Sequence, residues 1–163
     1  VIRFLNPVIR GWGNYFKDMG ILEDREVPIR ISDPVPIVGH ADGILNWGGG
    51  RKLYELKSIN PSRYEYRKMY NKPDEKTYDQ TQMYLYALDL EEGYVIYEEK
   101  GGQQVSVFPV GRDEKNIAKQ LKRFTSIYQD VTEGVTPRRP YKRDSNECNY
   151  CDLEIYCWEQ LDE

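Results

Sequence analysis

The five residues Asn46-Trp47-Gly48-Gly49-Gly50 constrain this chain more than any other stretch. Glycine accepts the positive φ that the tightest hairpin turns require. Segments able to form strands flank the run: residues 36–47, with Ile37, Val38, Ile44 and Leu45, and residues 51–59. Two strands joined by so short a turn pair antiparallel. Alternate residues of a strand face the same way. His40 and Asp42 therefore share one face of the first arm, while Glu55 and Lys57 share one face of the second, with Leu56 opposite. Such a hairpin is expected to bring Asp42, Glu55 and Lys57 together.

Helical and strand periodicities organise the rest of the chain. Residues 3–19 suit a helix with Ile9, Trp12, Tyr15 and Phe16 near one face, ended by Gly20. Residues 26–31 alternate as a strand, and Pro28 within it points to a sheet edge. Residues 60–75 are polar and suit a loop or short helix. Residues 76–91 suit a longer helix, with Asp79, Gln82, Met83, Tyr86 and Leu90 on one stripe. Strands follow over 94–98 and 104–110. A helix over 113–133 carries Ile117, Leu121, Phe124, Tyr128 and Val131, before a basic, proline-containing stretch and a cysteine tail. This order implies an α/β (mixed α+β) fold with one central mixed sheet flanked by helices. A chain of 163 residues suits a single domain, divided as an N-terminal helix (1–19), a core (20–134) and a basic, cysteine-rich tail (135–163).

The hairpin residues form a chemical set. Two carboxylates are hard oxygen donors for Mg²⁺ or Mn²⁺, and the backbone carbonyl of Leu56 is a third candidate ligand. A lysine beside them can orient a water or stabilise charge developing on a phosphate. Solvent-facing charges on a half-exposed hairpin are the plain alternative. The net charge of −4 argues against non-specific coating of nucleic acid. Positive charge is nonetheless concentrated locally, at Arg63, Arg67 and Lys68 and again at Arg138, Arg139, Lys142 and Arg143. The second group is the candidate nucleic-acid contact. Three cysteines within ten residues, Cys148, Cys151 and Cys157, make a poor disulfide framework and suit a metal or cluster site in a reducing compartment. Three free thiols, or a zinc site with a borrowed ligand, are the alternatives. No apolar run approaches the roughly 18 residues of a membrane span, and an intracellular, cytoplasmic location is expected.

Four pieces in order resemble the RecB-type branch of the PD-(D/E)XK nucleases, most of all the CRISPR-associated iron–sulfur exonucleases and their phage relatives. They are Gly39-His40-Ala41-Asp42-Gly43, Tyr54-Glu55-Leu56-Lys57-Ser58, Gln82-Met83-Tyr84-Leu85-Tyr86 and Cys148-x2-Cys151-x5-Cys157. The resemblance implies a restriction-endonuclease-like fold, with Asp42 and Glu55 as metal ligands and Lys57 as the catalytic lysine. It implies that Gln82 and Tyr86, the Q-x-x-x-Y motif, border the site. Gln80 and Tyr84 have the same spacing but lie off the apolar stripe, so Gln82 and Tyr86 are preferred. It also implies a 4Fe–4S cluster on the three cysteines, although the family's upstream cysteine has no counterpart here. Relatives carry a metal-binding histidine before the first strand; residues 1–19 have none, and the single histidine, His40, is read as structural. Residues 5–16 also resemble a short stretch of group II intron maturases, which sets the first helix apart from the nuclease pattern.

The resulting expectation is a Mg²⁺- or Mn²⁺-dependent DNA exonuclease acting on single-stranded ends. Its setting would be DNA repair, recombination, phage replication or CRISPR adaptation, with a larger nuclease or integrase complex as a candidate partner. A non-catalytic nucleic-acid-binding or docking subunit of the same fold is the alternative.

Overall fold

The computed structural model describes residues 7–136 and 138–160. One compact unit runs through Lys122, and a second takes the chain onward from Arg123. The first unit opens with α1 (Pro7–Asp18), followed by β1 (Leu22–Ile31), β2 (Ile37–Trp47) and β3 (Gly50–Ile59). Residues 3–6 of the expected first helix, and the Ile9 side chain, lie outside the described residues. Next come α2 (Pro61–Tyr70), α3 (Glu75–Leu88), β4 (Glu92–Glu99), β5 (Val105–Gly111) and α4 (Glu114–Thr132).

The strands form one mixed sheet in the order β1-β2-β3-β4-β5. Every neighbouring pair is antiparallel except β3 and β4. That parallel pair needs a crossover, and α2 and α3 supply it. In the β2–β3 hairpin Trp47 pairs with Gly50, leaving Gly48 and Gly49 at φ +62° and +83°. These are the left-handed values of a two-residue turn. Pro28 lies on the edge strand β1, as its missing N–H requires.

Alternation along the strands builds two cores. On one face Val27, Ile29, Leu53, Val95 and Phe108 pack with Tyr64 of α2 and with Tyr84 and Leu85 of α3. On the other, Leu45, Tyr54, Leu56 and Ile96 receive Trp12 and Phe16 of α1. Each large apolar side chain so buried contributes roughly 1.5–3 kcal/mol. A middle strand buried on both faces is a rigid platform, and β3 is that strand.

Two elements depart from the sequence expectation. Residues 61–70 form a full helix. The Asn60 side chain accepts the Arg63 N–H at the start, Pro61 opens the first turn, and Asn71 ends the helix at φ +48°. In α3 the buried residues are Thr77, Thr81, Gln82, Met83, Tyr84 and Leu85. Two threonines thus belong to its inner side, which an apolar stripe does not reveal.

The second unit holds the end of α4, a basic stretch, the short α5 (Asn146–Asn149) and a π-helical turn, Tyr156–Gln160. The Ser145 side chain caps α5 by accepting the Cys148 N–H. Of the stripe expected along α4, Ile117 is buried, whereas Tyr128 and Val131 are exposed. Among the described residues no helix is long and apolar enough to cross a membrane.

Candidate active site

The ladder between β2 and β3 stops at the pair Gly43 and Tyr54. Beyond it β2 continues along β1, while β3 continues along β4. The sheet forks there, and backbone amides facing the fork need acceptors. Two carboxylates provide them. The Leu56 N–H donates to Asp42 Oδ2 at 2.6 Å, and the Asp42 N–H donates to Glu55 Oε1 at 3.2 Å. Each acid is thus locked by the backbone of the other's strand. Glycines clear the space around it. A Cβ on Gly43 would strike the Asp24 carbonyl and the Tyr54 ring, and one on Gly39 would lie 3.1 Å from the Tyr84 ring.

Lys57 lies two residues beyond Glu55 on the same face. Its Nζ donates to Glu55 Oε2 at 3.0 Å and to Gln80 Oε1 at 3.1 Å. Gln80 Nε2 in turn donates to the Tyr84 hydroxyl at 2.9 Å. The chain of contacts runs Asp42, Glu55, Lys57, Gln80, Tyr84, drawn from β2, β3 and α3.

The electrostatics follow from burial. Glu55 is 1% exposed. Burial, and then the Asp42 carboxylate, push its pKa to about 7, against the opposing pull of Lys57. Burial also raises Asp42, partly offset by the Leu56 amide and the Lys57 charge. Burial alone would lower Lys57, but the Glu55 and Asp42 carboxylates outweigh it and hold the ammonium above its ordinary value. Lys57 therefore stays charged at neutral pH, while two acids crowd one cation.

This arrangement has a counterpart among known proteins. A family model described as the PD-(D/E)XK nuclease superfamily matches residues 8–158. The chain belongs to that superfamily. No curated protein sequence matches this PD-(D/E)XK chain. Among solved structures, it is similar to an alkaline exonuclease, LHK-Exo, from Laribacter hongkongensis, with 15% identity and a TM-score of 0.61 over 81% of this chain and 72% of the other. A structure of LHK-Exo in complex with dAMP aligns at 19% identity and a TM-score of 0.61, over 78% of this chain and 64% of the other. The protein SSO0001 aligns at 19% identity and a TM-score of 0.61, over 94% of this chain and 68% of the other. At these identities the likeness is one of fold, and the fold is the expected restriction-endonuclease-like one.

The donor set of this PD-(D/E)XK chain fits the divalent cation its superfamily implies. Asp42 and Glu55 offer hard oxygens side by side, two carboxylates beside the single Lys57 cation. Among the described residues no group of three or more His, Cys, Asp and Glu side chains gathers. His40 is exposed, and its backbone lies against the Tyr84 hydroxyl.

The structure shows Gln82 and Tyr86 making contacts other than with Lys57. Gln82 is fully buried; its Nε2 donates to the Gly111 carbonyl and its Oε1 accepts the Asp113 N–H, both at 2.8 Å. Tyr86 carries the Arg112 guanidinium 5.8 Å from its ring centre. Both face the β5–α4 connection, while Gln80 and Tyr84 reach Lys57. The displaced pair has the same spacing, so the signal was present. An apolar stripe does not single out the pair beside Lys57, because Thr77 and Thr81 share the inner side.

The tail residues are engaged elsewhere. Arg143 donates to Glu154 at 2.8 Å and to Glu159 at 2.6 Å. Arg139 donates to the Cys157 carbonyl at 2.9 Å and lies over the Trp158 ring. These contacts lie within the tail; Arg138, Lys142 and Arg143 are exposed. Cys148, Cys151 and Cys157 are free thiols. A 4Fe–4S cluster takes four gathered thiolates, so three that do not gather do not fit it.

Proposed function

We propose that this chain is a metal-dependent DNA nuclease that removes nucleotides from strand ends, with Asp42, Glu55 and Lys57 as its catalytic centre. The observation that carries the reading is the fork. It gathers the buried Glu55, the half-buried Asp42 and a charged Lys57 on one spot.

Asp42 and Glu55, with the Leu56 carbonyl, would hold Mg²⁺ or Mn²⁺. The ion, when bound, supplies a Lewis acid that polarises the phosphate and acidifies the attacking water. Lys57, kept protonated by its acidic neighbours, donates to the phosphate oxygens or orients the water. Gln80 fixes the lysine, and Tyr84 fixes Gln80. Attack forms a new P–O bond and expels the sugar oxygen. The end-directed mode is favoured by likeness to an alkaline exonuclease and by a neighbour that holds dAMP. Single-stranded ends are the proposed substrate, and end processing in repair, recombination or phage replication is the proposed setting.

The test uses end-labelled single- and double-stranded DNA with Mn²⁺, Mg²⁺ or EDTA. Stepwise loss of terminal nucleotides in metal, and none in EDTA, is the expected outcome. Folded protein that binds DNA without cutting it in either metal would instead support a binding subunit.

A further inference from the structure

α2 is unusual for a chain of net charge −4. Residues 63–72 read Arg63-Tyr64-Glu65-Tyr66-Arg67-Lys68-Met69-Tyr70-Asn71-Lys72, four cations to one anion. Only Tyr64 turns into the core; Tyr66 and Tyr70 are about half exposed, and Met69 more so. The Tyr66 and Tyr70 rings lie 4.5 Å apart, and the Arg67 guanidinium stands 4.9 Å from the Tyr66 ring centre. A helix that keeps aromatic rings at its surface among arginines and lysines gives up the burial that usually justifies them.

Beside this helix is a cavity of about 650 Å³, within the range of small-molecule sites. Tyr66 and Tyr78 line it, with Pro109 and Val110 from β5 and Arg67 and Lys72. The Tyr78 hydroxyl donates to Asp113 at 3.2 Å, which fixes that ring. A second cavity, of about 540 Å³, is lined by Lys57 itself together with Ser58, Thr77 and Lys100. The two flank the first turn of α3: Asp74 and Thr77 line the one at Lys57, Glu75 and Tyr78 the other. The cavity at Lys57 offers hydroxyls, an ammonium group and the Asp74 carboxylate; the other offers rings and cations beside Glu75.

We propose that the cavity lined by Tyr66, Arg67, Lys72 and Tyr78 is a base-stacking subsite for single-stranded DNA. The proposal rests on the reading of this chain as a DNA nuclease, and assigns where the strand is gripped away from the cut. Rings give affinity to any base through its π-face, and the flanking cations meet the phosphates. Sequence-tolerant grip is what an enzyme consuming strands of any sequence needs. An acidic peptide would satisfy the cations but leave the rings unused.

Fluorescence anisotropy of a labelled oligothymidine in EDTA, with the full chain, tests it. Tyr66→Ala should weaken binding about 5- to 30-fold, Tyr66→Phe should restore it, and Arg67→Ala should lower the salt slope by about one. Because Tyr66 is half exposed, these variants keep the fold, which thermal melting verifies. Wild-type affinity in Tyr66→Ala would overturn the proposal, as would an abasic strand or polyglutamate bound as tightly as oligothymidine. Unchanged binding in Tyr66→Ala while the wild type still cuts DNA in Mn²⁺ removes the subsite alone. A wild type that neither binds nor cuts removes the nuclease reading with it.

Discussion

The fork between β2 and β3 and the tail after α4 carry motifs of similar weight in the sequence, yet they fold to different ends. At the fork, strand pairing fixes the direction of each side chain before any ligand arrives. Asp42 and Glu55 are pinned by backbone amides, and Lys57 by Glu55 and Gln80. In the tail, a four-residue helix and one π-turn impose little direction. There the charged residues pair with one another, Arg143 with Glu154 and Glu159, and the three thiols stay apart. A spacing motif becomes a site when the elements beneath it dictate where side chains point.

That contrast can be broken in several ways. The largest effect is expected from Asp42→Asn, which removes the charge proposed to hold the metal while leaving an amide oxygen to accept the Leu56 N–H. Cleavage should fall about 10²–10³-fold or more, measured under single-turnover conditions; a near-normal rate would move the site off the fork. Next is a pair of variants on α3. Gln80→Ala should reduce cleavage about 10–100-fold, as loss of a supporting contact does, and leave the melting temperature nearly unchanged. Gln82→Ala empties a fully buried position and takes the side-chain partner from the Gly111 carbonyl and the Asp113 N–H, together costing about 2–4 kcal/mol. It should lower Tm by about 5–10 °C at this chain length. The reverse pattern would restore Gln82 as the site residue.

A third prediction concerns pH. Glu55 is held at about 7, above its ordinary 4.5. Between those values the folded chain keeps a proton that the unfolded chain has lost, so stability falls as pH rises through that window. The loss is on the order of 2–3 kcal/mol. Melting in EDTA at pH 5 and pH 8 should show it, Glu55→Gln should abolish it, and Mn²⁺ should offset it at pH 8. A wild type equally stable at both values would contradict a Glu55 whose burial holds its pKa up. The smallest effect belongs to the tail. Replacing Cys148, Cys151 and Cys157 together with serine should change cleavage by no more than about twofold, as surface substitutions do. A collapse of activity would show that the thiols hold something after all.

How much was legible follows the same divide. The Gly48-Gly49 turn set the hairpin register, and period-two alternation then put Glu55 and Lys57 on one face. Those local rules survive folding, so the fold and the three central residues could be read directly. α2 was left open between a loop and a short helix because its signal is in its ends, Asn60 and Asn71, rather than in an apolar stripe. Gln80 was passed over because the inner side of α3 mixes Thr77 and Thr81 with Tyr84. Helical periodicity says which residues align, but only the sheet says which of them reach Lys57. The roles of Arg139 and Arg143 depended on partners 11 to 18 residues away, across chain that carries no period at all.

The central claim is that Lys57, seated between Glu55 and Gln80, serves catalysis. The most direct measurement is metal-dependent cleavage of end-labelled DNA by Lys57→Ala beside the wild type, with thermal melting of both. The account predicts a wild type that cuts in Mn²⁺ and a variant that stays folded, still binds DNA and does not cut. A folded Lys57→Ala that cuts at the wild-type rate would contradict it.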